Sequence, residues 1–337
     1  METSSNSYVA SWSGATSKAT ASHLPAVLNT TSLRLILSYI TASDRLAKGS
    51  SSGGNTVERL VTGAHLEGGK RIGHGKTFTA EKRRIDSDEG WIVIKRTKVG
   101  KEDSEGTLAT RIQVAFLEQH ILSYYSEISE HPNIIKYHGW GWTLKDLDRA
   151  AAVSLFLALE YCEMGTLSSF LRNTAGLSDT QKWQFCLGIS RGLEVLHKHG
   201  IAHGDVKLAN ILVTYDHVQD MPIAKISDFG NARLCEALPN IAGLLQFTDY
   251  LGTHMYNAPE VQAQFGGATK VTAELFPYCD IFSFGLCCIE VFNNGNRYDT
   301  HMEKGEEMKR LLFSFRGSEP KMTQKLKDVE FNQCKSE

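Results

Sequence analysis

The strongest constraint on this chain is a set of polar signatures in fixed order, each set against apolar sequence. His203-Gly204-Asp205-Val206-Lys207-Leu208-Ala209-Asn210 leads into Ile211-Leu212-Val213, and Ser227-Asp228-Phe229-Gly230 follows. Gly252-Thr253-His254-Met255-Tyr256-Asn257-Ala258-Pro259-Glu260 comes next, and Asp280-Ile281-Phe282-Ser283-Phe284-Gly285 closes the series. Chance supplies one such signature easily, but hardly all of them in order. The rest is ordinary globular sequence: 337 residues, 42% hydrophobic and 22% charged, enough for one large domain or two small ones. A net charge of −2 gives no electrostatic case for nucleic acid or an acidic membrane surface. The Cys residues are scattered without a CxxC pair, as buried hydrophobes in a reducing compartment are, and not as a disulfide framework or zinc knuckle. No apolar run approaches the roughly 18 residues of a spanning helix, and the N-terminal METSSNSYVA lacks a signal-peptide pattern. The expectation is a soluble intracellular protein of the cytoplasm, with the nucleus left open and no membrane or nucleic-acid partner.

Residues 1–55 are rich in Ser and Thr, poor in charge, and end in Gly49-Ser50-Ser51-Ser52-Gly53-Gly54. Such a stretch buries too little apolar surface to offset its ordering entropy and reads as a flexible tail. Residues 33–40 (LRLILSYI) inside it could form a short docking helix, though a loosely held segment is the simpler reading. Patterned sequence begins near Val57. Ile72-Gly73-His74-Gly75-Lys76-Thr77-Phe78-Thr79 is a glycine loop; glycines let backbone approach phosphate oxygens, but a hairpin turn explains Gly73 and Gly75 equally well. A P-loop NTPase is excluded by register, because its first Gly would fall where Lys70 stands. Residues 81–84 read as a solvated hairpin face, 86–90 as a turn, and 91–95 as a buried strand ending on Lys95. Residues 108–126 are helical by period, and Glu118 leans toward the buried side. A carboxylate there needs a partner, and Lys95 is available.

Taken in order, the signatures resemble the protein kinase family, with its HxDxKxxN catalytic loop, DFG, APE and DxxSFG helix, over residues 66–292. The HGD form, with His131-Pro132-Asn133-Ile134 and Gly139-Trp140-Gly141-Trp142, looks most like kinases of filamentous fungi. The resemblance implies a two-lobed α+β fold: a β-rich N-lobe with one regulatory helix (residues 56–163) and a mainly helical C-lobe. That C-lobe (164–315) reads as shortened at its end, followed by a charged tail (316–337). Phosphoryl transfer needs the γ-phosphate held in line and its charge neutralised. By resemblance, ATP lies under Ile72, Gly73 and Gly75, with its adenine between Val93 and Leu212. The backbone of Glu160 and Cys162, just past Leu159, bonds the adenine edge. Lys95, oriented by Glu118, holds the α/β-phosphates, and Asn210 and Asp228 are the oxygen ligands for Mg²⁺. Asp205 accepts the substrate proton, Lys207 stabilises the transferring group and Thr253 braces the loop. Lys207 with Gly252-Thr253 and Tyr256 is similar to the serine/threonine branch, so the expected partner is a protein carrying a Ser or Thr acceptor. The Ala-Ala-Arg pattern of the tyrosine branch is absent, and Ala209 gives no support for a basic consensus.

The departures are as informative. Phe78 holds the third glycine position, Ala80 replaces the usual Val, and Val93 replaces Ala and narrows the adenine slot. Gly204 replaces the Arg that receives a phosphorylated activation loop, so activity is expected without phosphorylation of Thr248, Tyr250 or Thr253. Residues 281–292 are apolar nearly all round, as a helix buried mid-lobe should be. In the family a late Arg pairs with the APE glutamate, here Glu260; Arg297, Arg310 and Arg316 are the candidates, and residues 304–315 could form one helix. His197, His199 and His203 read as a helix end and catalytic loop before a metal site, and Cys287-Cys288 as packing. Two function classes follow: an active Ser/Thr kinase, or a pseudokinase or scaffold that keeps the fold without phosphotransfer.

Overall fold

Strand pleating sorts the first half of the chain into two faces. On β3 (Trp91–Thr97), Ile92 and Ile94 are buried with Phe156 and Ala158 of β5 (Ala151–Glu160) in a small cluster. The intervening Val93 and Lys95 therefore point to the other face, toward a cleft. β1 (Lys70–His74) and β2 (Phe78–Arg84) precede them, β4 (Tyr137–Asp146) follows, and the sheet runs β1-β2-β3-β5-β4, every pair antiparallel. Register pairs Ala80 with Lys95 and Val93 with Leu159, which aligns the cleft-facing row. The computed structural model describes residues 69–84, 90–100, 102–146, 151–235, 252–265 and 271–297.

α1 (Glu105–Tyr124) begins at Ser104, whose hydroxyl accepts from the Thr107 amide at 3.2 Å, and packs Ile112, Phe116, Leu117 and Ile121 inward. It starts before the predicted residue 108 and stops at Tyr125, which is extended; a separate turn, α2 (Ser126–Ser129), then takes over. The helical part is built on α4 (Asp179–Lys198), which a reciprocal capping box between Ser178 and Gln181 starts. It packs against α6 (Phe276–Phe292) and the hairpin of β7 (Ile211–Asp216) and β8 (Met221–Ile226). A short α3 (Leu167–Asn173) sets Phe170 on Phe185 of α4, α5 (Pro259–Phe265) packs Val261 with Phe276 and Cys279 of α6, and β6 (Ile201–Ala202) pairs with β9 (Arg233–Leu234). This is the expected mixed α+β architecture, a sheet lobe above a helical one.

Several expectations need correction. Trp91 is half-exposed because it opens β3 at the sheet margin, so the buried run starts at Ile92. The residues around α6 form a 20-residue helical stretch, Ala273–Phe292, long and apolar enough to cross a membrane by length and composition, contrary to the expectation that no run approaches that length. Its buried Asp280 and Glu290, both bonded to neighbouring elements, make it the central helix of the lobe. Nor is it buried all round: among the described residues Tyr278 is 66% and Ile281 51% exposed. The tail at 1–55 with its segment 33–40, the possible helix at 304–315, Arg310, Arg316, the tail at 316–337, Thr248 and Tyr250 lie outside the described residues.

Candidate active site

The catalytic loop follows β6 and is fastened from below. Asp280 of α6, fully buried, accepts the backbone amides of His203 (2.6 Å) and Gly204 (2.9 Å), and also contacts His197 Nε2 at 2.9 Å. The His203 ring is fixed in one tautomer: Nδ1 accepts from the Asp205 amide (3.2 Å), so Nε2–H donates to the Ser227 carbonyl (3.0 Å). Two of the three clustered histidines thus serve the loop, while His199 stacks on Tyr125 with ring centroids 4.2 Å apart. Gly204 has φ +75°, and a Cβ there would overlap the Asn231 carbonyl oxygen. Only glycine fits this backbone.

Asp205 is held in an asymmetric grip. Its Oδ1 accepts the Thr253 hydroxyl at 2.6 Å. Its Oδ2 accepts Lys207 Nζ (2.8 Å) and Asn210 Nδ2 (3.0 Å), with Asn231 Nδ2 farther out at 3.4 Å. Lys207 also donates to Thr253 Oγ1 at 2.8 Å, so three predicted residues close one ring around the carboxylate. Asn210 donates as well to the Asp205 carbonyl at 2.8 Å.

Above the loop stands a second cluster. Lys95 Nζ bonds both oxygens of Glu118 (2.8 and 2.7 Å) and Asp228 Oδ1 (2.7 Å). Burial alone would lower the Lys95 pKa, but the Glu118 and Asp228 carboxylates raise it above the ordinary lysine value, so the group stays an ammonium. Burial pushes Glu118 up from the usual carboxylate range, with Lys95 opposing, whereas the Lys95 charge holds Asp228 below it. Asp228 sits in a left-handed conformation (φ 66°), which turns its carboxylate toward the cleft.

The two clusters face one cleft of about 760 Å³ between the lobes. Ile72, Gly73, Gly75, Val93, Leu212, Glu160, Cys162, Lys95, Asp205, Lys207, Asn210 and Asp228 line it. Glu118 and Thr253 act from behind, through Lys95 and Asp205. The Glu160 carboxylate is turned out to Lys225 (2.8 Å). A sequence profile described as "Protein kinase domain" matches residues 66–336. The chain belongs to the protein kinase family. Cell division control protein 7 of Schizosaccharomyces pombe is 30% identical over 231 residues, covering 68% of this chain and 18% of that protein. Serine/threonine-protein kinase Tao of Drosophila melanogaster is 29% identical over 230 residues, covering 66% and 18%. RGS domain-containing serine/threonine-protein kinase A of Dictyostelium discoideum is 34% identical over 145 residues, 43% of this chain and 11% of that protein. The kinase chain thus spans less than a fifth of these curated relatives, which come from a fungus, an insect and an amoeba and do not single out a fungal branch.

Protein kinases use ATP with Mg²⁺, and the donor set fits a hard ion. Asn210 spends its NH₂ on Asp205, which leaves its amide oxygen over, and Asp228 has an oxygen beyond the one on Lys95. Among the described residues no group of three His, Cys, Asp or Glu forms a self-sufficient metal cage, so an ion here would share its coordination with phosphate and water. Sequence reasoning quoted His203 and Asp280 within their signatures and set His203 in the catalytic loop, but gave neither a role at Asp205, and it did not name Asn231. The signal for Asp280 was available, since an acid in an apolar helix requires buried donors.

Proposed function

We propose that this kinase is an active protein serine/threonine kinase that transfers the γ-phosphate of Mg-ATP to Ser or Thr hydroxyls of a protein substrate. The observation that carries the reading is the asymmetric grip on Asp205. A carboxylate offers about two lone pairs per oxygen. Oδ2 is committed to Lys207 and Asn210, while Oδ1 holds only the Thr253 hydroxyl and keeps a free lone pair. Oδ1 is therefore the atom that receives the substrate hydroxyl proton. Lys207, already beside it, places a positive charge where the phosphoryl oxygens develop charge. Lys95, kept cationic and oriented by Glu118, binds the inner phosphates. When bound, Mg²⁺ would neutralise phosphate charge, held by the oxygens of Asn210 and Asp228.

The names of relatives that are serine/threonine-protein kinases support the substrate class. A reducing, cytoplasmic setting belongs to the same proposal, on the scattered spacing of the cysteines in the sequence. The test is Mg²⁺-dependent transfer of labelled phosphate from ATP to itself and to generic Ser/Thr substrates, beside an Asp205→Asn variant. Transfer lost in the variant is the expected result; equal negligible signal in both sinks the reading. One observation favours the second reading, a pseudokinase: the Phe78 ring lies 4.5 Å from Lys95 Nζ, inside the cleft.

A further inference from the structure

We propose that Phe78 is an internal stopper at the phosphate end of the cleft, which polyphosphate, but not adenosine, must push aside to reach Lys95. The proposal rests on the nucleotide reading of the cleft and adds a residue that sets preference among nucleotides. Pleating puts Phe78 on the same face of β2 as Ala80, which pairs with Lys95, so the ring points inward and not to solvent. It is 7% exposed and belongs to the main apolar core. Its reach extends to the loop after Asp228: a Cβ built on Gly230 would lie 4.0 Å from Phe78 Cε2.

Lys95 leaves no open side for an arriving anion. An ammonium has three N–H donors, and two Glu118 oxygens and Asp228 Oδ1 take them at 2.7–2.8 Å. The ring covers a further side at 4.5 Å, a cation–π distance. Phosphate gains Lys95 only when Asp228 releases the ammonium and the ring beside it gives way. Glycine at this position would present no side chain at all. The Phe78 carbonyl also accepts from the Gly75 amide at 2.9 Å, which ties the strand that carries the ring to the glycine loop. Adenosine, held at Val93, Leu212 and the strand end near Cys162, has no phosphate to bring to that end of the cleft.

Calorimetric titration of the full chain with adenosine and with ATP plus MgCl₂ tests this without relying on turnover. Phe78→Gly is expected to raise the ATP-over-adenosine affinity ratio about 10-fold, about 1.4 kcal/mol, the scale of one desolvated cation–π contact. Adenosine affinity should stay unchanged. Phe78→Leu, apolar but without a ring, should give a smaller rise in the same direction. A ratio that is unchanged or lower in both variants overturns the proposal. Should Phe78→Gly not fold, the Leu variant decides alone, and no rise overturns the idea. Adenosine binding without a ratio change leaves the nucleotide reading standing while the stopper falls. Adenosine binding to none of the three proteins removes both.

Discussion

Gly204 offers the sharpest test of the catalytic-loop geometry. Its φ of +75° is a left-handed conformation, and the Cβ of any other residue would overlap the Asn231 carbonyl oxygen. Leaving glycine at such a φ costs about 1–2 kcal/mol. The overlap is with backbone, so the loop or the strand entrance at β9 must shift, a strain of about 1–3 kcal/mol by analogy with overpacked cores. Gly204→Ala should therefore cost about 2–5 kcal/mol, and a kinase-sized domain loses roughly 2–4 °C of Tm per kcal/mol. Gly176 supplies the control, since its φ is +76° with nothing within 4 Å of its Cβ. Gly176→Ala should show the conformational cost alone. Scanning calorimetry on both variants separates the two contributions. Equal Tm losses for the two alanine variants would refute the close approach of Asn231, and no loss in Gly204→Ala would refute the conformation itself. The same geometry implies that Gly204→Arg unfolds the loop and does not restore a phosphate receiver.

Burial pushes His120 on α1 from 6.5 to about 4, so its folded form resists protonation that the unfolded chain accepts. Stability is lost as pH falls below about 6.5 and the loss saturates near 4; urea unfolding at pH 5 should show the wild type losing about 2 kcal/mol more than His120→Leu, relative to pH 7.5. Equal losses would place His120 in contact with solvent. Lys95→Met strands the fully buried Glu118 carboxylate, with an expected cost of about 3–5 kcal/mol. Since burial already raises Glu118, the variant's folded state binds the extra proton first, and its Tm deficit should shrink from pH 8 to pH 6. A deficit independent of pH would contradict this. Thr248→Ala with Tyr250→Phe should keep phosphotransfer, because Gly204 carries no guanidinium. The cation on β9, Arg233, is itself buried, donating to the Asn231 and Ala232 carbonyls at 3.0 and 2.8 Å. Abolished transfer in a folded double variant would overturn that.

Sequence made the site legible wherever chemistry forces a residue type. A carboxylate leaning into the core demanded a cation, and the Glu118–Lys95 pair stands at 2.7 Å. The Asp205, Lys207, Asn210 and Thr253 set, quoted from two separate signatures, converges within hydrogen-bond distance. What stayed hidden depends on direction and not on composition. The inward aim of Phe78 needed the register of β2 on β3, and the Gly204 requirement needed the approach of Asn231 from a different segment. The start of α1 was missed because the Ser104 cap precedes the apolar period by several residues. The exposed side of α6 was invisible because hydropathy reports composition, whereas exposure depends on which neighbours are close by.

The fastening of residues 203 and 204 to Asp280 changes what kind of loop this is. Its amides are closed by a buried carboxylate rooted in the second turn of α6, so they exchange with solvent only when α6 itself comes away. In deuterium labelling these two positions should behave as part of the lobe's slowest-opening unit, although they lie in an irregular segment. Loss of phosphotransfer and loss of the helical lobe would then be a single event, and an activity melt would serve as its thermometer.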